Sequence, residues 1–192
     1  MKLLNIREKN ALTFNTGIEI EYEDREGNIK TWELVTRNNL DKVKRQIEGG
    51  ERFSSAPVIV ASDEKREKLC VIKQFRVTAG KYVYEFPAGL IDEGETVEET
   101  ARREFKEETG MDLRIERVSP PRYTTVGLTD ERCSMVYGTY SGEPSNAYLE
   151  STEDITVELA DRARIREILE HEDVCVKAAL AMEQFLMSEP LA

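Results

Sequence analysis

Histidine is almost absent from this 192-residue chain, in which His171 is the single example. Its position in a charged segment predicts the C-terminal end of a helix. We find no credible Ser-His-Asp or Cys-His set, which excludes the common forms of nucleophilic catalysis. Any catalytic chemistry therefore depends on other side chains.

Cysteine is also scarce. The three cysteines, Cys70, Cys133 and Cys175, are odd in number and widely spaced. We therefore expect neither a disulfide framework nor a cysteine-based zinc site, and a reducing cytosol fits this usage.

The first residues lack the apolar run of a signal peptide, and no segment reaches the ~20 apolar residues of a membrane span. These absences predict a cytoplasmic protein with no membrane partner.

Positive charge is in deficit, since 27 basic residues face 38 acidic ones and the net charge is −11. A protein that holds nucleic acid usually presents a basic face, so a nucleic-acid partner is not expected. An anionic substrate would need local Arg or Lys side chains, or bound cations. Hydrophobic residues make up 40% of the chain, which predicts a folded domain, alone or with a small accessory unit.

The N-terminal part has the pattern of a small β-rich unit. Residues 17–22 and 28–35 alternate between apolar and polar side chains, with turn residues between them. A short helix is predicted next and ends at Gly49 and Gly50. This glycine pair is the candidate boundary between an N-terminal unit, 1–50, and the main domain, 51–192.

The main domain alternates strand and helix patterns. The predicted strands are 56–61, 69–75, 82–86, 113–118, 133–140 and 155–159. The predicted helices are about 96–109, 161–170 and 173–187. Mixed strands with few helices indicate the α/β class, with a small mixed sheet between helices.

The most informative segment is 89–111, GLIDEGETVEETARREFKEETGM. Thr96 and Glu99 form a capping box at the start of its helix. Gly110 stands where a left-handed residue ends a helix. Apolar residues recur every fourth position and predict one buried stripe, formed by Val97, Ala101 and Phe105.

Acidic residues share that buried side of the helix. At roughly 100° per residue, Glu104 and Glu108 lie on the apolar side and Glu107 borders it. Carboxylates at a core edge repel each other and lose solvation, so they need compensating cations. Clustered oxygen ligands suit Mg²⁺ or Mn²⁺. Arg103 is one turn from Glu107 and could instead reach back to Glu95. The alternative is an ordinary amphipathic helix with solvated charges.

The segment resembles the Nudix box over its full length of 23 residues, and every position that the box specifies is met. The matching residues are Gly89, Glu95, Arg103, Glu104, Phe105, Glu107, Glu108, Gly110 and Met111. The resemblance implies an α/β/α sandwich and metal-dependent hydrolysis. It also implies that Glu104 and Glu108 bind metal, that Glu107 lies close by, and that the Ala88 carbonyl is a further ligand.

Flanking residues resemble the ADP-sugar pyrophosphatase branch of that family. They are 73–76 (KQFR) and 84–92 (YEFPAGLID). In that branch the arginine matching Arg76 contacts the phosphates of the substrate. The alternative for Arg76 is a surface cation at the end of a strand.

Residues 31–37 (TWELVTR) are similar to a stretch of eukaryotic ADP-sugar pyrophosphatases. The resemblance implies that Trp32 stacks on adenine, that Glu33 bonds the adenine edge, and that Arg37 belongs to the same substrate-binding segment. It also implies a homodimer built through the N-terminal unit. The alternative is that Trp32 anchors a small β-core.

Two later loops complete the resemblance. Residues 127–131, starting at Gly127, resemble a loop of ADP-ribose pyrophosphatases, although Val126 replaces the usual proline. Residues 150–155 resemble a mobile loop that supplies the catalytic base. Glu153 is the first candidate for that base, Glu150 the second, and an ordinary solvated acidic loop is the alternative.

Together these features predict Mg²⁺-dependent hydrolysis of ADP-ribose to AMP and ribose 5-phosphate, with Mn²⁺ also usable. Glu107 is a further candidate for a catalytic role. Other substrates remain open: GDP-mannose, another nucleotide sugar, a dinucleotide polyphosphate or an oxidised nucleoside triphosphate. A non-catalytic ADP-ribose sensor and a scaffold with an incidental acidic helix are the alternatives outside enzymology.

Overall fold

The computed structural model describes residues 2–188, apart from the side chains of Lys2, Leu3 and Ala11. The strands are β1 (Lys2–Ala11), β2 (Thr16–Glu23), β3 (Ile29–Thr36), β4 (Ala56–Ser62), β5 (Lys68–Arg76), β6 (Lys81–Glu85), β7 (Asp112–Val118), β8 (Arg122–Tyr123), β9 (Arg132–Ser141) and β10 (Ile155–Asp161). The helices are α1 (Leu40–Ile47), α2 (Val97–Thr109), α3 (Arg162–His171) and α4 (Val176–Met187). No helix within residues 2–188 is both long and apolar enough to cross a bilayer.

The chain divides into two compact units. The first contains the chain up to Ser55 together with Pro121–Cys133. Its sheet is antiparallel in the order β1-β2-β3. Val43 of α1 is fully buried with Ile18 of this sheet, in a core completed by Ile6, Ile20 and Leu34. The later segment joins this unit through the backbone, because Val35 donates its N–H to the Leu128 carbonyl at 3.0 Å.

The second unit comprises Ala56–Pro120 and the chain from Ser134 onward. Its mixed sheet has the order β10-β5-β4-β9-β7, with β6 paired to β5. Cys70 on one face packs in a core with Phe105 of α2. On the other face, the Tyr84 hydroxyl accepts a hydrogen bond from Arg164 of α3 at 2.9 Å. The sheet therefore lies between helices, and the predicted α/β sandwich is confirmed.

Helix α4 begins later than the sequence pattern predicts, at Val176 rather than at residue 173. The preceding residues are extended because they pair with β6. Tyr84 donates its N–H to the Asp173 carbonyl at 2.8 Å, and Cys175 donates its N–H to the Tyr84 carbonyl at 3.1 Å. These long-range hydrogen bonds compete with the first helical turn, and helical periodicity does not report them.

Helix α2 has the ends that its sequence predicts. The Thr96 hydroxyl accepts the Glu99 N–H at 3.2 Å, and the Glu99 carboxylate accepts the Thr96 N–H at 2.9 Å. Gly110 ends the helix at φ 74°, where a side chain would be strained. A Cβ at this glycine would also lie 2.6 Å from the Ser145 Cβ. Both ends of the helix are therefore held by local chemistry.

Replacing Thr96 with alanine should destabilise the protein by about 1 kcal/mol, because one donor of the first turn loses its acceptor. Urea denaturation measures this loss as a lower midpoint at an unchanged slope. Thr96→Ser keeps the hydroxyl and should retain nearly all of the stability. Equal midpoints for the alanine and wild-type proteins would contradict a stabilising role for the cap.

Candidate active site

The loop before α2 lies directly against an acidic side chain of that helix. A Cβ built on Gly89 would lie 1.9 Å from the Glu104 carboxyl carbon and within 2.2 Å of both carboxyl oxygens. Only glycine permits so close an approach of backbone to carboxylate. The rigid approach through buried Phe86 and Pro87 brings this glycine to the helix. Gly89 therefore sets where the Glu104 carboxylate can sit.

Glu108 is the most deeply buried acid of α2, with 3% of its surface exposed. Its Oε2 accepts the Ala88 N–H at 3.0 Å. Burial raises the pKa of Glu108 well above its usual range, and the charges of Glu104 and Glu153 raise it further. The Ala88 N–H and the Arg76 guanidinium act in the opposite direction. As predicted from the helical wheel, this carboxylate lies on the core side.

Arg103 connects the loop to the acids of α2. Its Nε and Nη2 donate to the two Glu95 oxygens at 2.9 and 2.8 Å. Its Nη1 donates to Glu104 at 2.7 Å and to Glu107 at 3.0 Å. Arg103 therefore binds both Glu107 and Glu95, which the sequence suggested as alternative partners. The hydrogen bonds from Arg103 lower the pKa of Glu95 to about 2.

Arg103 cannot balance the negative charge of the acids around it. We call these acids the acid cluster, which consists of Glu95, Glu104, Glu107 and Glu108. Four carboxylates and one guanidinium leave a net charge of −3 when all are ionised. Burial raises the pKa of Glu104 even though Arg103 opposes the shift. Buried, uncompensated carboxylates favour a bound proton or a bound cation.

The donor chemistry of this cluster fits a hard divalent cation, because all of its ligand atoms are oxygens. Within residues 2–188, no three His, Cys, Asp or Glu side chains converge as a ready-made metal site. The acids of α2 have protein partners instead, since Arg103 donates to Glu104 and Glu107 while the Ala88 N–H donates to Glu108. Glu104, Glu107 and Glu108 would hold the cation, as the Nudix resemblance implies.

Arg103→Lys should lower the rate of the metal-dependent hydrolysis predicted from the sequence by about 10- to 100-fold. Lysine keeps the positive charge, but it cannot bind both oxygens of Glu95 and also bridge two other acids. With the Glu95 pKa at about 2, the carboxylate stays ionised in a neutral assay. Steady-state kinetics of Arg102→Lys supply the matched control, since Arg102 is exposed on the same helix. Equal rates for the two variants would show that the guanidinium geometry is unimportant.

The loop before β10 carries the two candidates for the catalytic base. Glu150 donates its N–H to the Glu153 carboxylate at 3.0 Å, and Glu153 donates its N–H to the Glu150 carbonyl at 3.0 Å. Glu153 is close enough to raise the pKa of both Glu104 and Glu108. The Glu150 side chain is exposed. Both glutamates stay predictions for the base, and Glu153 is the one whose charge acts on the acids of α2.

Arg76 has a partner that the sequence pattern did not reveal. Its Nε and Nη2 donate to the two Glu85 oxygens at 2.5 and 3.1 Å, which raises the Arg76 pKa. The two residues share a sheet face because Arg76 lies opposite Lys81, and Lys81 and Glu85 are four residues apart in β6. The hairpin register gives only the shared face, because Glu85 lies opposite Ile72, so the pair itself is seen only in the structure. Arg76 also acts electrostatically on Glu108.

The remaining predicted residues belong to the first unit. Trp32 is 51% exposed on β3, so it does not anchor the core of that unit. Glu33 beside it forms an ion pair with Lys9, and Arg37 is exposed. Gly127 lies in an exposed turn, and a Cβ there would meet nothing within 4 Å. These groups are accessible to a ligand.

Comparison with known proteins identifies the family of this chain. The NUDIX domain model matches residues 51–185. A putative nudix hydrolase 2 of Caenorhabditis elegans is 32% identical over 77% of this chain and 66% of that protein. An ADP-sugar pyrophosphatase of Mus musculus is 34% identical over 64% of this chain and 53% of that protein. The matched region thus spans about half to two thirds of these relatives.

A solved structure described as an ADP compounds hydrolase has a TM-score of 0.70 to this chain, at 21% identity, and covers 97% of this chain and 91% of its own. At that identity the likeness establishes the fold. The family match covers well over half of the chain and contains the whole acid cluster. Relatives described as ADP-sugar or ADP-ribose pyrophosphatases are among the proteins it resembles. The chain therefore belongs to the NUDIX domain family.

Proposed function

We propose that this protein hydrolyses the diphosphate bond of an ADP-sugar, with ADP-ribose as the leading substrate and Mg²⁺ as the cofactor. The observation that carries the proposal is the acid cluster. Glu108 is 3% exposed, and the Glu104 carboxylate is seated against a glycine that no other residue could replace without displacing it. The alternative, a solvated acidic helix, would not bury its carboxylates in this way.

Bound Mg²⁺, or Mn²⁺ in its place, would polarise the phosphoryl oxygens and lower the pKa of a bound water. Glu104, Glu107, Glu108 and the Ala88 carbonyl would hold the cation. Glu153 accepts a proton from the attacking water, whose oxygen bonds to one phosphorus while the bridging oxygen leaves with the other phosphate. From ADP-ribose the products are AMP and ribose 5-phosphate.

The roles of the chain's own residues follow from their positions. Arg103 and Glu95 orient the acids of α2, and Gly110 ends that helix. Arg76 supplies donors for the diphosphate, and its bond to Glu85 holds the guanidinium in one orientation. Its electrostatic influence on Glu108 indicates that the diphosphate would lie near the acid cluster.

Trp32 and Glu33 remain our proposal for adenine recognition, with Arg37 and Gly127 as further contacts. An exposed indole offers a stacking face, and a carboxylate can accept a hydrogen bond from the adenine amine.

A homodimer formed through the first unit is part of the same proposal. Large apolar side chains exposed on that unit, such as Phe14 and Ile29, support it. Light scattering measures the assembly state, and a monomer at micromolar concentration would contradict the dimer.

A substrate panel tests the proposed function. Purified protein with Mg²⁺ should hydrolyse ADP-ribose faster than GDP-mannose, diadenosine polyphosphates or oxidised nucleoside triphosphates, with AMP among the products. Removal of the metal by EDTA should abolish turnover. Binding of ADP-ribose without turnover would favour a sensor. If GDP-mannose were the best substrate, the proposed reaction class would stand and the proposed nucleotide would change. Val126, which replaces the usual proline, keeps this outcome open.

A further inference from the structure

Gln74 lies on the same strand face as the arginine proposed to contact the diphosphate. Side chains alternate along β5, so Cys70, Gln74 and Arg76 point to one side of the sheet. Cys70 packs in the core that includes α2, which identifies this side as the α2 side. Gln74 is opposite Ile155 in β10, two residues after Glu153. Gln74 therefore lies two residues from Arg76 along β5 and directly opposite the first residue of β10.

The Gln74 amide is incompletely satisfied. Its Oε1 is buried and accepts no hydrogen bond from any group in the described part of the chain. The residue as a whole is only partly buried. Its neighbours across the strands, Ile155 and Val83, offer only apolar side chains. A buried acceptor without a donor is unfavourable, so this oxygen calls for a donor from outside the described part of the chain.

The chemistry of the proposed substrate indicates which donor fits. An ionised diphosphate has acceptors only and cannot donate to an amide oxygen, whereas Arg76 can donate to the diphosphate. Sugar hydroxyls are donors. Two residues along a strand are roughly 7 Å apart, comparable with the length of a pentose. The terminal sugar is bonded to the distal phosphate, so its hydroxyls lie beside the diphosphate that Arg76 would hold.

We propose that Gln74 is a specificity-determining residue whose Oε1 accepts a hydrogen bond from a hydroxyl of the sugar on the distal phosphate. The inference rests on the proposed function, since it requires a nucleotide sugar as substrate. It gives the site a way to distinguish ADP-sugars from ADP. A site whose buried acceptor needs a hydroxyl discriminates against a ligand that lacks one.

Gln74→Met tests the inference, because methionine has a similar length and no hydrogen-bonding amide. The value of kcat/KM for ADP-ribose should fall about three- to tenfold, the worth of one neutral hydrogen bond. The Ki of ADP, a competitive ligand with the same adenosine and diphosphate but no terminal sugar, should stay unchanged. Lys73→Met is the matched control on the opposite face, where Lys73 pairs with Glu172 at 2.9 Å, and both constants should stay unchanged.

The outcomes separate the inference from the proposed function. Equal losses for ADP-ribose and ADP, or no loss for either, would overturn the role of Gln74 while wild-type turnover upholds the function. A wild-type protein that splits no nucleotide sugar would overturn both. If Gln74→Met fails to fold, Gln74→Glu decides instead. It keeps an acceptor oxygen, so the ratio of kcat/KM for ADP-ribose to the affinity for ADP should be preserved, and a changed ratio would overturn the inference.

Discussion

Glu108→Gln should lower kcat/KM for ADP-ribose by about a thousandfold or more, since the lost metal contact is worth several kcal/mol of charge stabilisation. Glu108 is buried against the Ala88 N–H, so its carboxylate has a defined position. Glutamine has the same shape and can still accept that N–H, but it brings no negative charge to a cation. The loss should therefore appear in turnover rather than in the fold.

The thermal stability of the Glu108→Gln variant should not fall with its turnover. Burial raises the pKa of Glu108 well above its usual range, which means that its ionised form is unfavourable in the absence of a cation. In EDTA the glutamine variant should melt at the wild-type temperature or above it. Mg²⁺ should raise the melting temperature of the wild-type protein more than that of the variant, because ligand binding stabilises only the form that binds.

Glu98→Gln provides the matched control, because Glu98 is exposed in the first turn of the same helix. It should retain wild-type turnover and the Mg²⁺-dependent rise in melting temperature. Full activity of Glu108→Gln would rule out the proposed metal role of Glu108. An equal loss in both variants would point to general damage to helix α2.

The second large effect is expected from a single added methyl group. Gly89→Ala should lower turnover by about a hundredfold, because a displacement of about 1 Å at a reacting group can cost that much. The new Cβ would overlap the Glu104 carboxylate, whose carbon lies 1.9 Å from the Cβ position. Either the carboxylate or the loop has to move. Both movements displace a proposed metal ligand from the others.

Gly17→Ala is the control for this prediction. The Cβ built there lies 3.5 Å from its nearest neighbour, the Asn10 carbonyl oxygen, which is ordinary contact. Its kinetics should equal those of the wild-type protein. Circular dichroism should show normal helix content in both variants. If Gly89→Ala turns over at the wild-type rate, the position of the Glu104 carboxylate is not important for catalysis.

The acid cluster could be predicted from sequence because its determinants are local. Within one helix the periodicity of 3.6 residues decides which side chains share a face, so the spacing alone places Glu104 and Glu108 beside Phe105. The capping box and Gly110 depend on residues three or four positions apart. The same reasoning predicted most of the strands of the main sheet, though not the later start of α4 at Val176.

Pairing between distant segments could not be derived in this way. The bond of Arg76 to Glu85 depends on the register of a hairpin, and the approach of Glu153 to the acid cluster depends on how β10 pairs with β5. The assignment of Pro121–Cys133 to the N-terminal unit rests on hydrogen bonds across more than 80 positions, such as that of Asn38 to Asp130 at 2.9 Å.

Sequence alone thus determined the family, the helix and the acids that the helix presents, because short-range geometry dictates them. Tertiary structure decided which groups meet these acids, that Trp32 is exposed rather than buried, and that the Gln74 oxygen is left without a donor in the described chain. The physical reason is that burial and hydrogen-bond satisfaction depend on all neighbours in space. Most of those neighbours come from other strands and helices.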